Sequence, residues 1–125
     1  MAGEQVLIVD DNPTNLKLMR ILLAAEGYDV RTATDADEAI RLLEVFHPRL
    51  ILMDIQLPGM DGLELTRRLK ADAATSDIVI LALTAYAMKG DDLKAREAGC
   101  DGYIAKPIDT QTLPGVIAGF LEGRA

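Results

Sequence analysis

Asp10, Asp11, Asp54, Thr84 and Lys106 all stand at the carboxyl ends of apolar runs: VLIVDD, LILMD, IVILALT and GYIAK. Near-continuous runs of Val, Ile and Leu read as strands buried on both faces, as in a parallel sheet. In open α/β sheets, ligands bind outside the carboxyl ends of the strands. Parallel pairing of these four runs therefore predicts three carboxylates, a hydroxyl and an ammonium on one patch. Carboxylates in contact repel: two unit charges about 4 Å apart interact by roughly 4 kcal/mol at an effective dielectric near 20. Protonation of one acid, or a bound divalent cation, relieves this. Oxygen-only donors, few and open to solvent, suit a hard cation such as Mg²⁺, which keeps several of its waters.

A cation alone leaves Thr84 and Lys106 without a role. A dianionic group seated between them and the metal gives them one, and a phosphoryl group fits. Its transfer depends on positioning and on neutralising its oxygens, and a carboxylate can be the nucleophile, giving an aspartyl-phosphate. With Asp54 phosphorylated, Asp10, Asp11 and the phosphoryl group carry about −4, and Mg²⁺ with Lys106 returns about +3. Thr84 then donates to a phosphoryl oxygen.

The elements that must hold these residues alternate five times between strand and helix. Asn12-Pro13 is a capping residue followed by proline at the first helical position. Leu16, Met19, Leu22 and Leu23 then repeat at helical spacing, and Gly27 ends the helix. Tyr28, Val30 and Thr32 alternate with polar residues, as in a less buried strand. Thr34 with Asp37 resembles a capping box for a second helix with the stripe Ile40, Leu43 and Phe46, closed by Pro48. Asp61 with Glu64 opens a third helix through Leu63, Leu65 and Leu69. A fourth spans roughly residues 89–98 and ends at Gly99, and the last carries Leu113, Val116, Ile117, Phe120 and Leu121. Pro114 leaves two possibilities, a helix beginning there or one bent after Asp109. The pattern is (βα)5. The runs starting at Val6, Leu50 and Ile78 are the most apolar and therefore central. The expected fold is a flavodoxin-like, doubly wound parallel sheet of order 2-1-3-4-5, with its switch point between strands one and three.

Composition narrows the classes. The chain has 125 residues, half of them apolar, which fits one domain with a real core. A net charge of −7 with no basic run disfavours direct DNA binding and anionic membranes. The apolar runs are far too short to span a membrane, and the polar start shows no signal peptide. Cys100 is the only cysteine, which excludes an internal disulfide and fits a reducing cytoplasm. It reads as a small buried side chain. Met19 and Met53 read as core filler, Met88 as a surface residue, and His47 as an exposed helix-terminal residue near the negative end of the dipole.

VDDNP, LILMDIQLPGMDG, ALTAYA and GYIAKPI, in this order, resemble a bacterial response-regulator receiver domain of the stand-alone, chemotaxis-regulator-like kind. The resemblance covers essentially the whole chain and implies one receiver domain over residues 1–125, with no output domain, serving a two-component phosphorelay. It implies that Asp54 takes a phosphoryl group from a phosphohistidine on a sensor histidine kinase or histidine phosphotransfer protein. Asp11, Asp54 and the backbone carbonyl of Gln56 would bind Mg²⁺ directly, with Mn²⁺ as an alternative, and Asp10 would help through water. Lys106 would contact the phosphoryl group. Thr84 would move toward it, with Tyr103 turning inward. The face of the fourth helix, fifth strand and fifth helix would then change its downstream protein partner, as a monomer or a phosphorylation-dependent dimer. Its chemistry would be its own phosphorylation and dephosphorylation, a signalling module rather than an enzyme.

Further positions follow from the same resemblance. Gln56 and Tyr86 would border the path of attacking water, and a bulky Tyr86 would shield the acyl phosphate, whereas the small Ala85 leaves access to Asp54. Lys106-Pro107 invites a cis peptide, as in receivers. Arg49 departs from the family, standing where similar chains often have Asp.

Three rival readings compete, and two of them differ in sequence. A phosphatase of the aspartyl-nucleophile type needs a second acid two residues after the nucleophile, where Asn12 and Gln56 stand. A flavin or nucleotide binder needs a glycine- or hydroxyl-rich phosphate loop after the first strand, where Asp10 and Asp11 stand instead. A receiver excised from a larger hybrid protein shares every motif with a stand-alone one; the Met start and complete last helix favour the latter.

Overall fold

The computed structural model describes residues 3–84, 91–106 and 108–123. Five strands alternate with five helices: β1 (Gln5–Val9), α1 (Pro13–Ala25), β2 (Asp29–Ala33), α2 (Ala36–Leu43), β3 (Leu50–Asp54), α3 (Gly62–Ala71), β4 (Val79–Thr84), α4 (Asp91–Ala98), β5 (Gly102–Ala105) and α5 (Leu113–Gly123). All neighbouring strands pair in parallel, in the order β2-β1-β3-β4-β5. Ala85, Tyr86, Met88, the expected start of α4 and Pro107 lie outside the described residues.

The apolar runs become the middle of the sheet because both of their faces are covered. Every residue of β3 and β4 is buried, and all of β1 beyond Gln5. One set of their side chains packs against α1 and α5, the alternate set against α2, α3 and α4. β2 and β5 alternate in exposure, as edge strands do. The order reverses between β1 and β3, which opens the crevice at their carboxyl ends.

Local chemistry explains most helix starts. Asn12 accepts from the amides of Thr14 and Asn15, with Pro13 inside the first turn of α1. Asp61 does the same for Leu63 and Glu64 at the start of α3. Gly27 ends the α1 region at φ 93°. The expected cap of α2 is displaced by one residue. Asp35, not Thr34, is the N-cap and accepts from the Glu38 amide, while the Glu38 carboxylate takes the Thr34 amide and hydroxyl. α2 also stops at Leu43, well before Pro48, so Phe46 is not on its stripe. Phe46 is buried from the following loop, with the Arg31 guanidinium 4.8 Å above its ring. His47 consequently lies beyond the reach of the α2 dipole and instead meets Asp77 at 3.4 Å.

Pro114 resolves to a helix start. Asp109 accepts the amides of Gln111 and Thr112, and Leu113 opens α5. Proline in the first turn forfeits no intrahelical bond, because the first amides have no partner there. Arg49 sits at the amino end of β3, where it binds Glu4 and the Leu121 carbonyl, far from the crevice.

Candidate functional site

The crevice gathers its acids from two strand ends. Asp10 follows β1, is completely buried, and its amide donates to the Ala33 carbonyl. Its Oδ1 accepts the Asn12 amide at 2.9 Å. Its Oδ2 lies 3.1 Å from Lys106 Nζ, an ion pair without a directed hydrogen bond. Asp54 ends β3, 4% exposed, with Oδ1 taking the Gln56 amide at 2.9 Å and Oδ2 taking Lys106 Nζ at 3.2 Å. Asp11 is exposed, yet one oxygen from each of Asp10, Asp11 and Asp54 lies within 4.8 Å of the others. One wall of the cluster is thus buried and one faces water.

Thr84 is buried at the end of β4, one residue past the position paired with Asp54. Its carbonyl accepts the Lys106 amide at 2.7 Å, which fixes the lysine at the crevice. Lys106 projects between the two buried acids with its side chain 15% exposed. Tyr103 is not part of this constellation. Its side chain is half exposed and borders a surface hollow with Arg96, Cys100 and Asp101.

The electrostatics follow from this packing. Burial is the main cause that raises the Asp54 carboxyl above the usual carboxylate range; the Gln56 amide opposes it, the Asp10 charge adds to it, and Lys106 opposes it. Burial would lower the Lys106 ammonium, but Asp10 and Asp54 outweigh it and hold it above the ordinary lysine value of 10.5. One ammonium cannot neutralise three carboxylates. An all-oxygen donor set with one side open to solvent, and a buried oxygen on Asp10 lacking a directed donor, fits a hard divalent cation.

Gly62 is a site residue that the sequence did not single out. A Cβ there would stand 2.1 Å from the Asp54 carbonyl oxygen, so α3 can start against the end of β3 only with glycine. The D-G step of PGMDG was the available signal. Cys100 is buried as expected, 3.9 Å from the Thr66 hydroxyl. Met19 and Met53 lie in the core.

Residues 6–118 match the sequence profile of the response regulator receiver domain. Over 118 residues the chain is 45% identical to the polar-differentiation response regulator DivK of Brucella ovis, covering 94% of this chain and 96% of that protein. A CheY-like response regulator receiver domain from Methanospirillum hungatei superposes with a TM-score of 0.89 at 31% identity, covering 98% of this chain and 97% of that one. The receiver domain of the sensor histidine kinase PA1611 from Pseudomonas aeruginosa, solved with magnesium in its active site cleft, superposes at 0.87 with 35% identity, over 97% and 99% of the two chains.

The two solved receivers share this doubly wound fold over nearly the whole chain. The chain belongs to the response regulator receiver domain family. It is a signalling domain of the two-component type. No helix among the described residues is long and apolar enough to cross a membrane.

Proposed function

We propose that Asp54 is the phosphoacceptor of a two-component phosphorelay, and that its modification changes a protein-binding surface. The observation that carries this reading is the Lys106 ammonium, within 3.2 Å of both buried carboxylates beside a third acid open to solvent. A carboxylate oxygen of Asp54 attacks the phosphorus of a phosphoimidazole on a histidine kinase or phosphotransfer protein. The O–P bond forms, the P–N bond breaks, and the imidazole nitrogen keeps the electron pair. In dephosphorylation, water attacks the same phosphorus and the carboxylate leaves.

Asp10, Asp11, Asp54 and the Gln56 carbonyl would hold Mg²⁺, or Mn²⁺ in its place, and the presence of magnesium in the PA1611 receiver supports that assignment. The cation supplies charge neutralisation at the phosphoryl oxygens. Lys106 neutralises from the opposite wall, already placed by its bond to the Thr84 carbonyl. The Thr84 hydroxyl donates to a phosphoryl oxygen, and Tyr103, exposed in this state, turns inward as Thr84 moves. The output is a changed surface of the receiver fold, offered to a downstream protein.

Incubation with radiolabelled acetyl phosphate and Mg²⁺ tests the assignment. An acid-stable, base-labile adduct is expected on the parent and absent from Asp54→Asn. Labelling that survives the substitution unchanged overturns it.

A further inference from the structure

β5 is the shortest strand of the sheet, yet it delivers Lys106. It is four residues long, lies at an edge, and its burial alternates without one fully buried side chain. Strand register is normally imposed by an apolar set that must face the core. Here only Ile104 offers such a residue, and it is partly buried. A slip of one residue would exchange the faces of the strand and bring Ala105 or Pro107 to the place of Lys106.

The beginning of β5 is pinned by other means. The Asp101 amide donates to the Ile80 carbonyl at 2.7 Å, and Asp101 Oδ2 accepts the Ile80 amide at 2.8 Å. This two-bond ring sets Asp101 opposite Ile80, one step before the pair Leu81 and Gly102. Lys70, in the last turn of α3, holds the ring. Its Nζ donates to Asp101 Oδ2 at 2.9 Å and to the Ile78 carbonyl at 2.7 Å. The stem of Lys70 packs under the preceding turn, where a Cβ on Gly99 would stand 3.0 Å from its Cγ.

We propose that Lys70 and Asp101 are positioning residues for Lys106: together they lock the register of β5 and so place the ammonium between Asp10 and Asp54. An exposed ion pair would contribute little. These two side chains are only 18% and 22% exposed, and both also bond main-chain groups of β4 or its approach, so the pair acts by direction rather than by charge alone. α3 gives the lock a rigid base, because Gly62 at its other end abuts the Asp54 carbonyl. The catalytic consequence rests on the role proposed above for Lys106; the register claim does not.

The test reads Lys106 itself. The folded parent, Lys70→Met, Lys70→Arg and Asp101→Asn are treated with sulfo-N-hydroxysuccinimide acetate, and acetylation of each lysine is followed by mass spectrometry. Lys106 is expected to react far more slowly than the exposed Lys17 in the parent. In Lys70→Met its protection should fall several-fold with Lys17 unchanged, and Lys70→Arg should restore it. Labelling by acetyl phosphate at saturating Mg²⁺ should fall roughly tenfold in Lys70→Met, since misplacement of a positioned group by about 1 Å can cost up to a hundredfold. Mg²⁺ affinity should stay within about twofold, as the acids are distant from the substitution.

Unchanged Lys106 protection in both Lys70→Met and Asp101→Asn overturns the proposal, whatever happens to labelling. If Lys70→Met does not fold, Asp101→Asn decides by the same measurement, because it keeps an acceptor for the Ile80 amide and removes the charge facing Lys70. A parent that takes no label while the variants expose Lys106 refutes the phosphoacceptor reading and leaves the register lock standing.

Discussion

The carbonyl oxygen of Asp54 and the α-carbon of Gly62 are packed so closely that a single methyl group at position 62 would overlap the backbone of β3. The proposed acceptor is therefore fixed from behind as well as in front. Lys106 and the Gln56 amide hold its carboxylate, and the first turn of α3 seals its main chain.

Gly62→Ala should consequently destabilise the protein by about 1–3 kcal/mol, the usual cost of overpacking. The obstacle is backbone, which cannot rotate away as a side chain could. Urea unfolding measures the loss, and labelling of the remaining folded protein should fall with it.

Asp54→Asn should stabilise the metal-free protein at neutral pH. Burial first, and the Asp10 charge with it, raise the folded Asp54 carboxyl above its unfolded value. A carboxyl raised in the folded state contributes stability below the unfolded value, and that contribution is lost as pH rises through the folded value. Denaturant titrations from pH 3 to pH 7 should show the difference between parent and variant growing with pH. Mg²⁺ should shrink it, by binding the folded parent.

Gly115 and Gly119 lie on the exposed side of α5, at ordinary helical φ, and a Cβ at either would meet nothing within 4 Å. Neither position needs glycine for packing. Gly115→Ala and Gly119→Ala should each stabilise by about 0.5–1 kcal/mol, and nearly additively. Thermal unfolding of both singles and the double variant checks this.

Cys100 should resist thiol–disulfide exchange in the native state. Burial pushes its thiol up, so little thiolate is present near neutral pH. Ellman's reagent should react roughly a hundredfold faster once the chain is unfolded in urea.

The sites of success and failure in the sequence reading have local causes. Asn12-Pro13 was legible because proline belongs in a first turn, which makes the residue before it the cap. At the start of α2 both Thr34 and Asp35 can cap, and the sequence pattern favoured the wrong one. Only the observed backbone, with Asp35 extended and Glu38 turned back to the Thr34 amide, separates them. Phe46 continued the spacing of Ile40 and Leu43, but its burial comes from a loop carried over the core. Pro114 was ambiguous because a proline reads the same in a first turn and at a bend.

By itself the sequence determined the order of the elements, the strand order and the identity of the crevice residues. Apolar runs must bury both faces, and the polar residue ending each run must then emerge at one edge of a parallel sheet. The tertiary structure alone decided their inequality: Asp10 sealed from solvent and Asp11 open to it, Lys106 poised between two acids, Tyr103 left outside. It also decided that Lys70 and Asp101 anchor the strand that carries Lys106. These outcomes depend on register and on contacts between residues far apart in the chain, and no local pattern encodes such a pairing.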